Sequence, residues 1–133
     1  MSSTHQQLLQ EVLTATGNVE TCCLIRKASG SVKAASIGFE PSKDLVQSLV
    51  DGFNELKKVR EEGIDFNGAS YQCVRADNTS IYGKKGGGSG FIAVQTKQYI
   101  IYGSFSTSMY PSITAEAIHS LGKHIIIRPQ DNN

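Results

Sequence analysis

Apolar residues recur at helical spacing in three stretches of the chain and at strand spacing in the rest. Leu8, Leu9, Val12 and Leu13 predict a helix over residues 4–16, closed by Gly17. VETCCLIRK (19–27) and SVKAAS (31–36) predict two strands joined by an Ala-Ser-Gly turn. Pro41 is expected in the first turn of a second helix, with Leu45, Val46, Leu49, Val50, Phe53 and Leu56 on one face. The charged segment 57–63 is expected to close that helix toward solvent. Beyond Gly63 the period shortens to two. IDF, SYQCVRA, SIYGKK, GFIAVQT and QYIIYGS follow with turns at Asn67-Gly68, Asp77-Asn78-Thr79, the glycine run and Lys97, which predicts an antiparallel meander. A last helix is expected from Pro111, with Ile113, Ala117, Ile118, Leu121 and Ile125 on its apolar face, before a frayed RPQDNN tail. Terminal helices on a central antiparallel sheet define an α+β domain over residues 1–133.

One stretch, SIYGKKGGGSGFIAV (80–94), invites a nucleotide-binding reading. A phosphate-cradling loop needs the order strand, glycine loop, helix, with its lysine after the glycines. Here Lys84 and Lys85 precede the glycines, and an apolar strand pattern follows them. The stretch therefore reads as a hairpin turn.

Charge and composition narrow the chemistry. The chain has 133 residues, 13 basic against 12 acidic, so no global field steers it toward nucleic acid or membrane. No apolar run approaches the roughly 20 residues that span a bilayer, and the first residues lack the pattern of a secretory signal. Cys22, Cys23 and Cys73 suit free buried thiols in a reducing compartment, and adjacent Cys22 and Cys23 are expected on opposite faces of one strand. His119 and His124 are five apart, which is not the spacing of a zinc pair. No G-x-S-x-G elbow occurs. Arg75, Lys84, Lys85 and Lys97 interleave with Tyr71, Tyr82 and Tyr99, as in a nucleic-acid platform. The near-neutral charge and the ordinary place of tyrosine in half-buried sheets speak against that reading. The sequence indicates no enzyme, no cofactor and no metal.

YQCVRADNTSIYGKK, its glycine turn, FIAVQTKQYIIY and a C-terminal helix resemble the second half of a profilin. TGNVETCCLIRKASGSVKAAS and VDGF resemble the first half in order. MYPSITAEAIHSLGKH is most similar to the divergent testis-type (fourth) animal profilins. The resemblance implies a six- to seven-stranded antiparallel sheet with the N- and C-terminal helices packed on one face. It also implies partners: actin monomers, poly-proline segments and phosphoinositides.

Residue by residue, the resemblance implies altered sites. Aromatic positions of the family's poly-proline groove fall on Gln6, Leu9, Lys33 and His124, and the chain has no tryptophan. On the actin face Arg75 and Lys84 keep basic positions. Glu116 stands where the family has a lysine, and Ser120 where it has an acid. Glu116 also suits the first turn of a helix. Scattered cations suffice for acidic lipids, and Arg75, Lys84, Lys85 and Lys97 could supply them, as could Arg26, Lys27 and Lys33, or Lys123 and Arg128. The expectation is a non-enzymatic, cytoplasmic, cytoskeleton-associated protein that binds acidic phospholipids, with actin and poly-proline binding weakened or lost. Two alternatives stay open: an orthodox actin-monomer-binding profilin, and a small-molecule-binding module on the same sheet. The latter would need an apolar pocket with convergent polar groups.

Overall fold

The structure, a computed structural model, describes Gln7, Leu9 and residues 19–106 and 111–127; within the last segment, side chains are described from Ile113 to Gly122. The elements are β1 (Thr21–Arg26), β2 (Val32–Ala35), α1 (Lys43–Asn54), α2 (Leu56–Glu62), β3 (Ile64–Phe66), β4 (Ala69–Ala76), β5 (Ser80–Lys84), β6 (Gly90–Gln95), β7 (Tyr99–Phe105) and α3 (Pro111–Ile127). The seven strands form one antiparallel sheet in the order β2-β1-β7-β6-β5-β4-β3. The α+β class and the strand number agree with the expectation. Of the predicted N-terminal helix only Gln7 and Leu9 are described, and both are helical; the tail and the side chain of Ile125 lie outside the described residues.

The sheet is buried on both faces at its centre. Cys23 and Ile25 of β1, Phe91 and Ala93 of β6, and Ile100 and Tyr102 of β7 pack against Leu45, Leu49 and Phe53 of α1 and Val59 of α2. Cys22, Leu24, Ile92, Val94, Ile101 and Phe105 take the other face, with Leu9 and with Ala117, Ile118 and Leu121 of α3. Adjacent Cys22 and Cys23 thus serve opposite cores, as strand alternation requires. Fully burying one such aliphatic or aromatic side chain contributes about 1.5–3 kcal/mol.

Three expectations need correction. Pro41 precedes α1 instead of entering its first turn: Ser42 is the N-cap, and its Oγ accepts the Leu45 N–H at 3.0 Å. That same Oγ donates to Asn67 Oδ1 at 2.6 Å, and Asp44 accepts the Asn67 N–H at 2.6 Å, so the start of α1 is tied to the β3–β4 turn. Residues 57–63 are largely exposed, as expected, but they do not extend α1. Glu55, at φ −135° and ψ 55°, breaks the helix. Residues 56–62 form α2, which buries Val59 and places Arg60 Nε 2.8 Å from the Ala76 carbonyl. Ile113 does not join the apolar face of α3 but is 41% exposed.

Burial also sets the chemistry of the thiols. The Cys22 thiol is pushed up to about 12 from 9.0, because burial penalises the thiolate. Burial raises Cys23 further, with neighbouring Cys22 adding to the effect, and it raises Tyr102 as well. These thiols ionise near their ordinary value of 9.0 in the unfolded chain and remain protonated in the folded one. Above that pH the folded state binds more protons, so the thiols leave stability level between pH 7 and pH ~9. Stability should fall beyond it by at most about 1.4 kcal/mol per pH unit per thiol. Urea unfolding from pH 7 to pH 10.5 checks this; a flat profile would contradict it.

The approach of α3 to β7 gives a second test. A Cβ at Gly103 would collide with the end of Ile118, which is fully buried. Gly103→Ala is expected to cost about 1–3 kcal/mol by overpacking, and Ile118→Val in that background should recover part of the loss. Urea midpoints of the single and double variants measure it.

Candidate functional site: the open face of β4 and β5

The alternation of β4 is interrupted. Cys73 pairs with Gly83 and Arg75 pairs with Tyr82, which leaves Val74 as the extra residue of a bulge. Regular alternation after Tyr71 and Cys73 would turn Arg75 into the core. The bulge instead sets it opposite Tyr82, whose ring packs against the core on the α3 side and meets Phe105 edge-on at 5.9 Å. Ala76 is returned to the first core. Lys84 lies two residues beyond Tyr82, opposite Gln72, so Arg75 and Lys84 share the α3 side of the sheet. Ile113, Glu116 and Ser120 form the exposed stripe of α3 on that same side. Glu116 is the sixth residue of α3 and so lies past its first turn, contrary to the expectation.

Arg75 is partly engaged already. Its Nε lies 2.9 Å from Asp77 Oδ2 in an exposed pair. Such a pair contributes about 0–1 kcal/mol but draws the guanidinium toward the turn. Asp77 Oδ1 also accepts the Thr79 and Ser80 N–H groups, each at 2.8 Å. Asp77 is held below its ordinary range chiefly by the Ser80 N–H, then by Thr79 and Arg75, with slight burial working the other way.

The tip between β5 and β6 is a hairpin. The Lys85 N–H donates to the Ser89 carbonyl at 2.9 Å, and Gly86–Gly88 make one 3₁₀ turn. Gly87 (φ 85°) and Gly88 (φ 83°) occupy the left-handed region, which explains the glycines without a phosphate. A strand follows, as expected. The two tip lysines diverge, since successive strand residues point to opposite faces. Lys84 shares the side of Tyr82, whereas Lys85 reaches back over the Tyr71 ring, 5.6 Å from its centre, on the other side.

Other expected groupings do not form. Lys97 lies in the β6–β7 turn, at the far end of β6 from Lys84 and Lys85, about 20 Å away for a six-residue strand. Tyr71 and Tyr99 are core residues, so no row of tyrosines is open to bases. Leu9 is 1% exposed and belongs to the core, so it cannot floor a groove. Lys33 is the extra residue of a second bulge: Leu24 pairs with Ala34 and Ile25 with Val32. Gln6, Arg128 and the side chains of Lys123 and His124 lie outside the described residues. Among the described residues no group of three or more His, Cys, Asp or Glu is placed to hold a metal ion. The alternation pattern missed Val74, which the bulge leaves 55% exposed, because nothing in a local pattern marks a bulge.

The sequence and the fold both match known proteins closely. The sequence model of the profilin family matches residues 3–128. Profilin-4 of Bos taurus is 39% identical over 122 residues, covering 90% of this chain and 93% of that protein. The crystallised profilin of Schizosaccharomyces pombe superposes with a TM-score of 0.82 at 30% identity, covering 92% of this chain and 97% of the other. The fold is also that of LokiProfilin2, solved in a complex with rabbit actin, at a TM-score of 0.79 and 16% identity, covering 96% of this chain and 98% of that one. The chain belongs to the profilin family.

Proposed function

We propose that this profilin-family chain is a non-enzymatic cytoskeletal regulator that binds acidic phospholipids (phosphoinositides and phosphatidic acid) through the β5–β6 tip. Its actin-monomer and poly-proline binding is weak or absent. The tip carries the reading. Lys84 and Lys85 are exposed, and neither forms a salt bridge with a carboxylate among the described residues. The glycine turn beside them has no side chain to hold a surface away. Divergent lysines suit a plane of head groups better than a single phosphate. On the actin side, Glu116 reverses a charge on the exposed stripe of α3, and like charges at an interface oppose encounter. In the groove, Leu9 is in the core. On this reading the protein works in the cytoplasm, and no helix among the described residues is long and apolar enough to cross a membrane.

A second reading, orthodox binding of actin monomers, is favoured by Arg75 and Lys84, two cations on the α3 side of the sheet. A titration with monomeric actin separates the two readings. Tight stoichiometric binding would establish the second.

Two variants test the first reading. Lys84→Ala with Lys85→Ala is expected to weaken binding to acidic vesicles about fivefold per lysine at low salt, since each is worth about 1 kcal/mol near a charged membrane. Raising the salt should reproduce the loss, and thermal stability should fall by no more than a few degrees, the cost of the Lys85 contact with Tyr71. Wild-type vesicle binding by the double variant would refute the tip as the lipid site. Glu116→Lys, alone or with Ser120→Glu, is expected to raise actin affinity about two- to tenfold, as a rim or partly desolvated pair would. An unchanged affinity in both would refute the charge reversal as the cause.

A further inference from the structure

Lys97, which the tip leaves aside, borders a concavity at the opposite end of the sheet. It encloses about 400 Å³ between the C-terminal end of α1, the turn after β1 and the β6–β7 turn. That is within the range of small-ligand pockets, about 300–1,000 Å³. Val50, Phe53 and Ile100 give it an apolar wall, and Lys27, Lys97, Gln98 and Asn54 give it a polar one.

The charge is one-sided. Arg26, Lys27 and Lys97 all line the cavity, and no aspartate or glutamate does. The groove at the other flank of α1 has the opposite character: Asp51, Glu55, Glu62 and Asp65 line it, with Lys58 their lone cation. The sign of the first cavity is therefore local and not a property of the whole surface, since the chain carries a net charge of only +1.

Lys27 is placed to be the anchor. It follows Ile25 by two positions, so it lies on the α1 side of the sheet, and it is half-buried. Its backbone N–H donates to the Gln98 carbonyl at 2.9 Å, which joins the two turns. Its Nζ donates to the Thr96 carbonyl at 3.2 Å. An ammonium has three N–H donors, so two remain, and Lys27 has no carboxylate partner among the described residues. A half-buried cation held in place beside an apolar wall fits an anion with an apolar body.

We propose that this cavity is a binding site for a small organic carboxylate with a flat or branched apolar body, separate from the lipid-binding tip. Lys27 and Lys97 hold the carboxylate, and Val50, Phe53 and Ile100 hold the body.

The test titrates 2-naphthoate into the ¹⁵N-labelled chain, followed by amide NMR shifts and calorimetry. Saturable shifts are expected at residues 26–28, 50–54 and 95–100. Lys27→Met should weaken binding about tenfold, the usual loss for one charge-assisted hydrogen bond. The neutral analogue 2-naphthalenemethanol, titrated into the wild-type chain, should show a similar loss without any mutation. The Lys84→Ala, Lys85→Ala variant should bind naphthoate as the wild type does, whatever becomes of its vesicle binding. No saturable shift at millimolar naphthoate would overturn the proposal. So would shifts centred elsewhere, or equal binding of acid and alcohol.

Discussion

Burial of β1, β6 and β7 on both faces is the constraint on which the rest of the structure depends. A strand that is dry on both sides must hand alternate residues to two separate cores, and each core then needs its own helical cover. Its few polar groups must also be satisfied internally. The Cys22 N–H is bonded to Ser36 Oγ at 3.1 Å, and Thr21 meets Ser104 through both its N–H and its hydroxyl. The aromatic network of Phe66, Tyr71, Phe91 and Tyr102 fills the α1 side, with ring centres 4.7–6.3 Å apart. On the α3 side a bare glycine lets the helix come close.

Much of this is legible in the sequence. The meander could be read because its turns are stereochemically demanding. Asn67 and Gly68 both have positive φ, and Asp77 folds its carboxylate back onto two backbone amides. The break between α1 and α2 could not be read. Leu45, Leu49, Phe53 and Leu56 continue one helical stripe, and only the backbone at Glu55 reveals that the axis ends there. Pro41 was legible as a helix signal but not to the residue, since proline fits both the first turn and the position before a cap.

The candidate site was legible as a set of residues and not as an arrangement. Alternation assigns a face to each strand position only while the register holds. Two bulges, at Val74 and at Lys33, reset it beside positions that the family resemblance singles out. Neighbours in sequence are also not always neighbours in space. Lys84 and Lys85 part to opposite faces, while Lys97 joins Lys27, seventy residues away in the chain, because β1 and β7 are partners. The cavity at the end of α1 has no sequence signature, since its wall and its cations come from four separate segments.

The same register faults bear on how the molecule behaves in company. The sheet ends in its weakest members: β3 has three residues, and β2 has four with an extra lysine pushed out of line. A neighbouring chain that tried to extend the sheet would find a template too short and too irregular to hold a ladder of hydrogen bonds. Short, irregular edges of this kind are how two-sided apolar sheets discourage edge-to-edge pairing. Lys33, whatever it does or no longer does for a ligand, guards that margin.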